Sequence, residues 1–144
     1  MTIHLQATFP VSPDRLYDVL TEGPRFAAAT GQPARIGQGE GAAYLIFGGL
    51  IEGRHIELVR GRRIVQAWRF HAWDPGTYSL VRLTLTPEGA GTRLEISHDA
   101  YPEGQSPMYP SWREHLSAGW PAFYFETLAK YFAGSSSDKQ GEAA

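Results

Sequence analysis

The sequence lacks cysteine altogether. This absence excludes disulfide bonds, thiolate metal sites and cysteine nucleophiles, and it is compatible with a reducing compartment. A surplus of positive charge is also missing, because 13 Lys and Arg residues stand against 15 Asp and Glu residues, a net charge of −2. Without a basic field there is no general attraction for nucleic acid or anionic lipid. We therefore expect no nucleic-acid partner and no membrane partner.

Long hydrophobic runs are missing too. The longest uncharged, largely apolar stretch, from Gly41 to Ile51, is about half of the ~20 residues that a transmembrane helix needs. The first six residues alternate between apolar and polar side chains and carry no Lys or Arg, unlike a secretory leader. These features predict a cytoplasmic protein.

Size and composition predict one folded domain. The chain has 144 residues, 42% of them hydrophobic and 12% aromatic, and a domain of this length buries about 70% of the surface that its unfolded chain exposes. From residue 134 onwards no apolar side chain is larger than alanine. We therefore expect a globular domain over 1–133 and a disordered tail over 134–144.

The N-terminal segment predicts one strand followed by two short helices. Apolar and polar residues alternate from Ile3 to Phe9, which is typical of a strand with one buried face. Ser12 then provides an N-cap before Pro13, and the stripe that starts at Leu16 indicates a helix. A second short helix is predicted over 24–30, with Gly31 placed to end it.

From about residue 34 to residue 100 the pattern predicts a five- or six-stranded antiparallel meander. Strong turn signals separate the segments 63–73, 78–86 and 92–98. If both turns are four residues long, Trp68 lies opposite Leu83, and Leu83 opposite Ile96. One face of the sheet then collects eight apolar residues together with Gln66 and His98. The eight are Ile64, Trp68, Phe70, Val81, Leu83, Leu85, Leu94 and Ile96.

The C-terminal part predicts helices. Ser111 and Glu114 have the spacing of a capping box, and Pro121 is expected to break or kink the helix that follows. The main helix is predicted from about Gly119 to Phe132. Its apolar stripe comprises Trp120, Phe123, Tyr124, Leu128 and Tyr131.

Taken in order, these elements predict an α+β domain in which a one-faced sheet is covered by the final helix. Only that helix is long enough to cover the sheet. A helix lying across the concave side of a twisted sheet tends to leave a cavity between the two. We therefore expect an apolar cavity at this interface.

Several short stretches, in their order and spacing, resemble the activator of heat-shock protein 90 ATPase (AHSA1-like) family, in its bacterial single-domain branch. The stretches cover most of 1–132: residues 9–13, 47–49 with Gly53, 57–59, 64–69, 73–76, 91–94, 102–104, 119–120, and 124–126 with Leu128. This family belongs to the START-like, or SRPBCC, superfamily. The resemblance implies a helix-grip fold (START/Bet v 1-like), in which a curved antiparallel sheet wraps around a long C-terminal helix. It also implies binding of apolar ligands or of a protein partner, without one fixed catalytic set.

The candidate binding residues are the polar pair on the apolar face and the apolar side chains around it. They are Phe47, Gln66, Trp68, Phe70, Leu83, Ile96, His98, Trp120, Phe123 and Tyr124. In one interpretation, Gln66 and His98 orient a ligand in an apolar cavity; in the other, they are hydrogen-bonded core residues. The aromatic side chains admit the same two readings. The histidines have no metal-ligand spacing, so we expect no metal, no cofactor and no catalytic set.

Three functions remain open. The first is a non-catalytic binding protein whose internal apolar cavity takes a small hydrophobic or amphipathic ligand. The second is a protein-interaction module acting as a cofactor of heat-shock protein 90, and the third is a cyclase- or hydrolase-type enzyme that uses His98. A monomer and a homodimer are both compatible with the sequence.

Overall fold

The computed structural model describes residues 2–103 and 107–142, the last eight of these by their backbone alone. The strands are β1 (Ile3–Phe9), β2 (Arg35–Ile36), β3 (Ala43–Ile46), β4 (Ile51–Val59), β5 (Arg63–Phe70), β6 (Ser79–Glu88) and β7 (Gly91–Asp99). The helices are α1 (Pro13–Thr21), α2 (Gly23–Thr30), α3 (Trp112–Trp120) and α4 (Glu126–Glu142), and a π-helical segment (Pro121–Phe125) joins the last two.

The seven strands form one antiparallel sheet in the order β1-β7-β6-β5-β4-β3-β2. Strands β2 to β7 form a meander, and the last strand, β7, pairs with β1. Strand β1 is therefore one edge of the sheet and β2 is the other. The concave face packs against the helices, and the core lies between these two layers. The predicted α+β helix-grip fold is confirmed.

The predicted division of the sheet into two faces is confirmed, whereas one of the two predicted registers is wrong. Leu83 lies opposite Ile96, as expected, but Trp68 lies opposite Ser79 and not opposite Leu83. The connection between β5 and β6 is eight residues long, because the backbone turns after Phe70 and the Trp73 side chain enters the core. A shift by an even number of residues keeps every side chain on its face. All ten residues predicted for the apolar face are therefore buried.

The two N-terminal helices have the predicted caps. The Ser12 hydroxyl accepts a hydrogen bond from the Arg15 amide and Pro13 occupies the first helical position. Helix α2 ends at Gly31, whose φ of 75° is a left-handed conformation that glycine adopts without strain.

The C-terminal helix differs from the prediction at Pro121, where a break or kink was expected. The backbone stays helical through this position, with Trp120 at φ −55° and ψ −50°, and the turn widens into the π-helical segment. Proline lacks the amide hydrogen for the normal helical bond, and a wide turn accommodates its ring. The Glu126 amide donates to the Pro121 carbonyl, which closes the wide turn.

This wide turn also changes which side chains are buried. The buried positions are spaced four apart: Leu116, Trp120, Tyr124, Leu128 and Phe132. At 3.6 residues per turn, a four-residue spacing drifts by about 40° per step around a regular α-helix, and a wider turn reduces the drift. Phe123, predicted on the buried stripe, is instead 50% exposed.

Helix α4 continues to Glu142. Residues 143–144 and the side chains of 135–142 lie outside the described part, so the predicted disorder of 134–144 stays a prediction. No helix within 2–103 or 107–142 is long and apolar enough to cross a membrane.

Candidate functional site

A small apolar cavity lies between the sheet and the junction of α3 with the π-helical segment. It encloses about 40 Å³, whereas pockets for small ligands enclose about 300–1,000 Å³. Its lining consists of Phe47, Leu50, Ile51, Trp68, Phe70, His115, Leu116, Gly119, Trp120, Phe123 and Tyr124. The cavity has room for a few water molecules or a short aliphatic group.

Six of the ten predicted site residues meet at this cavity: Phe47, Trp68, Phe70, Trp120, Phe123 and Tyr124. The other four, Gln66, Leu83, Ile96 and His98, are buried in the core and do not line the cavity. The site prediction did not include Leu50, Ile51, His115, Leu116 and Gly119, which also line the cavity. The main helix was predicted from about Gly119, which left Leu116 outside its apolar stripe. The signal was present, since Leu116 precedes Trp120 by four residues and so extends the apolar stripe by one turn.

Aromatic side chains fill the space next to the cavity. Phe26, Phe47 and Tyr124 contact one another with ring centroids 5.5–5.7 Å apart, in edge-on geometry. Trp120 packs on Tyr124 at 4.5 Å and on Trp68 at 5.7 Å. Such contacts are typical of a well-packed core. The interior is therefore closed by side chains over most of the sheet–helix interface.

The turn beside the cavity has an unusual backbone. Phe47, Gly48 and Gly49 all have positive φ, at 54°, 66° and 97°. A phenylalanine in this region is strained, because its Cβ crowds the backbone, and such strain persists only where the surroundings hold it. Here the Phe47 ring is held between Phe26 and Phe123. The two glycines were visible in the sequence as a turn signal, but the strain at Phe47 was not.

His98 lies in a directed chain of hydrogen bonds within the core. The Trp120 indole N–H donates to His98 Nδ1 over 3.0 Å, so His98 Nε2 carries the hydrogen of the neutral ring. That nitrogen lies 2.7 Å from the Ser79 hydroxyl, which in turn donates to the Trp68 carbonyl over 3.0 Å. Both ring nitrogens are thus engaged, as in the core-residue interpretation of this histidine.

Burial sets the charge state of His98. The side chain is fully buried, and desolvation lowers the pKa of the imidazole to about 3, although the nearby Asp99 carboxylate partly offsets this effect. The ring is therefore neutral at pH 7. A neutral, buried ring whose two nitrogens are both hydrogen-bonded within the core can stabilise the fold, but it is poorly placed to exchange a proton with a substrate.

Other buried polar groups have no hydrogen-bond partner among the described residues. They include Gln66 Oε1 and the indole nitrogens of Trp68 and Trp73. His55 and Gln66 lie directly opposite each other on β4 and β5, and burial lowers the pKa of His55. No group of three or more His, Asp or Glu residues within the described ranges is placed to hold a metal ion.

A curved antiparallel sheet packed on one long helix, with the core between them, defines a helix-grip α+β domain. Residues 10–133 match the family described as Activator of Hsp90 ATPase homolog 1-like protein. The chain belongs to this family, as its resemblance in sequence implied.

Curated relatives are named as activators of the 90 kDa heat shock protein ATPase. The chain is 31% identical over 130 residues to the activator of 90 kDa heat shock protein ATPase homolog 1 of Homo sapiens. The aligned region covers 90% of this chain and 36% of the human protein. The chain is 29% identical over 136 residues to the Dictyostelium discoideum homolog, covering 94% of this chain and 34% of the relative. The chain thus spans about a third of the length of these relatives.

Solved structures share the fold. An HSP90 activator from Plasmodium falciparum superimposes with a TM-score of 0.79 at 21% identity, covering 89% of this chain and 93% of that one. The Aha1 dimer from Colwellia psychrerythraea gives a TM-score of 0.74 at 14% identity, covering 92% and 96%. At these identities the similarity establishes the fold alone.

Proposed function

We propose that this chain is a non-catalytic binding module that engages a chaperone of the heat-shock protein 90 type. The observation that carries the proposal is the family match over 10–133, joined to an interior that side chains almost fill. The cavity between the sheet and the helix has a volume of about 40 Å³, below the size of a typical ligand pocket, which favours binding through the surface.

The surface around Phe123 is the proposed contact. Its ring is 50% exposed although it is a large aromatic side chain on a helix. It contacts Phe47 at 5.6 Å and covers the apolar cavity, whose other lining includes the half-buried Leu50. Exposed aromatic residues beside an apolar pocket are typical anchors of protein interfaces. A partner's apolar side chain inserted next to Phe123 extends a core that already exists.

The test measures binding of the purified chain to the host's heat-shock protein 90, together with ATP turnover by the chaperone. Phe123→Ser is expected to weaken binding at least tenfold, because it removes an exposed aromatic anchor. Ile56→Ser is the matched control, since Ile56 is 51% exposed on β4 and lies outside the cavity lining. The absence of both binding and any change in ATP turnover for the unaltered chain refutes the proposal. Equal weakening by the two variants refutes the assignment to Phe123.

The cavity supports a second candidate function, the binding of a small apolar ligand. Trp68 lines the cavity and its indole N–H has no partner among the described residues. A small apolar molecule with one oxygen acceptor matches these two properties. Native mass spectrometry of freshly purified protein tests this candidate. A mass lost on denaturation supports it, and identical native and denatured masses argue against it.

A further inference from the structure

A groove of about 640 Å³ lies on the convex face of the sheet, which is the face turned away from the helices. It crosses β2, β3 and β4. Arg35, Leu45 and Glu52 lie directly opposite one another on these three strands, and all three line the groove. Tyr78, just before β6, lines it as well. Because the groove lies on the outer face, a partner can reach it without any rearrangement of the core.

Two arginines at this groove lack a negatively charged partner. Within the described ranges, no carboxylate forms an ion pair with Arg35 or Arg54, and both side chains are exposed. Arg54 Nη1 donates to the Gly41 carbonyl over 3.1 Å, which holds the guanidinium in place without neutralising its charge. Since a guanidinium has five N–H donors, both arginines keep donors free for a further acceptor.

Glu52 also lines the groove, but its charge is already matched. It accepts a hydrogen bond from the Tyr78 hydroxyl over 3.0 Å, and one of its oxygens lies 3.8 Å from Arg69 Nη1. The groove therefore carries a surplus of positive charge on a chain whose net charge is −2. Such a local surplus favours an acidic partner, because complementary charge directs association.

Apolar side chains separate the two arginines. Arg35 lies opposite Leu45, and Arg54 lies opposite Ala43. Two strand spacings and two residues along the strand therefore place the Cα atoms of the arginines about 12 Å apart. Leu45 and Ala43 are exposed between them. One small anion is much shorter than this distance, whereas side chains four residues apart in an extended chain lie on one face about 13 Å apart.

We propose that this groove binds an extended acidic segment of a protein partner, in which two carboxylate residues four positions apart flank one apolar residue. The carboxylates pair with Arg35 and Arg54, since a guanidinium can donate two parallel hydrogen bonds to a carboxylate. The apolar residue packs on Leu45, which is 42% exposed. Phe123 lies in the helical layer on the other side of the sheet, so this proposal is independent of the proposed chaperone contact.

Fluorescence polarisation of a labelled peptide tests the proposal on the whole chain at low salt. The probe, Ser-Glu-Thr-Leu-Thr-Glu-Ser, places its glutamates four residues apart with leucine between them. A second probe has glutamine in place of both glutamates. The acidic probe is expected to bind about tenfold more tightly than the glutamine probe, because each exposed ion pair adds up to about 1 kcal/mol. Added salt is expected to reduce this difference.

Charge reversal locates the binding site on the chain. Arg35→Glu and Arg54→Glu are each expected to weaken binding of the acidic probe at least fivefold, because a like charge then faces a glutamate. Arg62→Glu is the matched control. It makes the same change in net charge at an exposed position between β4 and β5 that does not line the groove, and it is expected to leave binding within twofold. Circular dichroism checks that all three variants fold.

Four results would overturn the proposal. The first is a dissociation constant above about 1 mM for the acidic probe and the unaltered chain. The second is equal binding of the acidic and glutamine probes, and the third is equal weakening by Arg35→Glu and Arg62→Glu. The fourth is displacement of the probe by inorganic phosphate at matched ionic strength, because that result assigns the groove to small anions.

Discussion

The His98 imidazole has both ring nitrogens engaged within the core, with the Trp120 indole on one side and the Ser79 hydroxyl on the other. The hydroxyl of Ser79 is the middle of this chain, because it accepts from His98 and donates to the Trp68 carbonyl. The chain links β5, β6, β7 and α3 through one buried serine. Its polar groups specify how these elements align, since each is satisfied only in this arrangement.

At the residue scale we predict that Ser79→Ala lowers the free energy of unfolding by about 1–3 kcal/mol. The substitution leaves the buried His98 N–H without a partner and removes the hydroxyl bond to the Trp68 carbonyl, and unmade buried hydrogen bonds are costly. Urea unfolding measures the change. Ser97→Ala, at a half-buried position on the outer face of β7, is the control and should stay within about 0.5 kcal/mol. Equal losses in the two variants would contradict the role given to Ser79.

At the scale of elements, strands β3, β4 and β5 are tied together by one tyrosine. Tyr44 on β3 lies opposite Gly53 on β4, and its hydroxyl donates to the Ala67 carbonyl on β5 over 2.8 Å. The tyrosine reaches across β4 only because Gly53 has no side chain. A Cβ at Gly53 would overlap both the Tyr44 hydroxyl and the Ala67 carbonyl oxygen.

We therefore predict that Gly53→Ala destabilises the fold by about 3 kcal/mol, the upper range for overpacking a core. The clash involves backbone on one side and a buried ring on the other, so neither gives way easily. Thermal and urea unfolding measure the loss. Gly134→Ala serves as the comparison, because nothing lies within 4 Å of its Cβ position in α4 and alanine favours helix by up to about 1 kcal/mol. Gly53→Ala behaving like Gly134→Ala would refute this account of Tyr44.

At the scale of the whole molecule, the buried histidines couple folding to pH. The folded-state pKa of His98 is about 3, against 6.5 for the unperturbed group, and the pKa of His55 is also lowered by burial. The unfolded chain therefore binds protons below pH 6.5 that the folded chain excludes. Stability from this source is fully present above pH 6.5 and is lost as the pH falls toward 3.

We predict that the free energy of unfolding falls by roughly 1.4 kcal/mol per pH unit for His98 below about pH 6. His55 adds to the slope. Urea unfolding at several pH values between 7 and 5 measures it, in a range above the ordinary titration of carboxylates. His98→Gln should have a shallower slope whatever its absolute stability, whereas His71→Gln, at an exposed position, should keep the parental slope. A slope unaffected by His98→Gln would contradict the prediction.

Patterns within single elements were readable from the sequence. Alternation along β5 to β7 placed all ten predicted residues on the buried face, and Ser12, Gly31 and Ser111 were recognised as caps. These features depend on backbone geometry that repeats every two or 3.6 residues, so local sequence determines them. The family resemblance added the fold, which the structure confirms.

Tertiary structure alone decided the rest, because distant residues compete for the same space. Trp73 was predicted at the end of a strand, but its side chain is buried in the core beyond the end of β5. The observed β5–β6 register therefore differs from the predicted one by four residues, and each side chain stays on its predicted face. The size of the cavity depends on how Phe26, Phe47 and Tyr124 share one volume, and no sequence period encodes a volume. Both ring partners of His98, Ser79 and Trp120, come from other elements. Sequence placed this histidine on the buried face, and only packing determined what it does there.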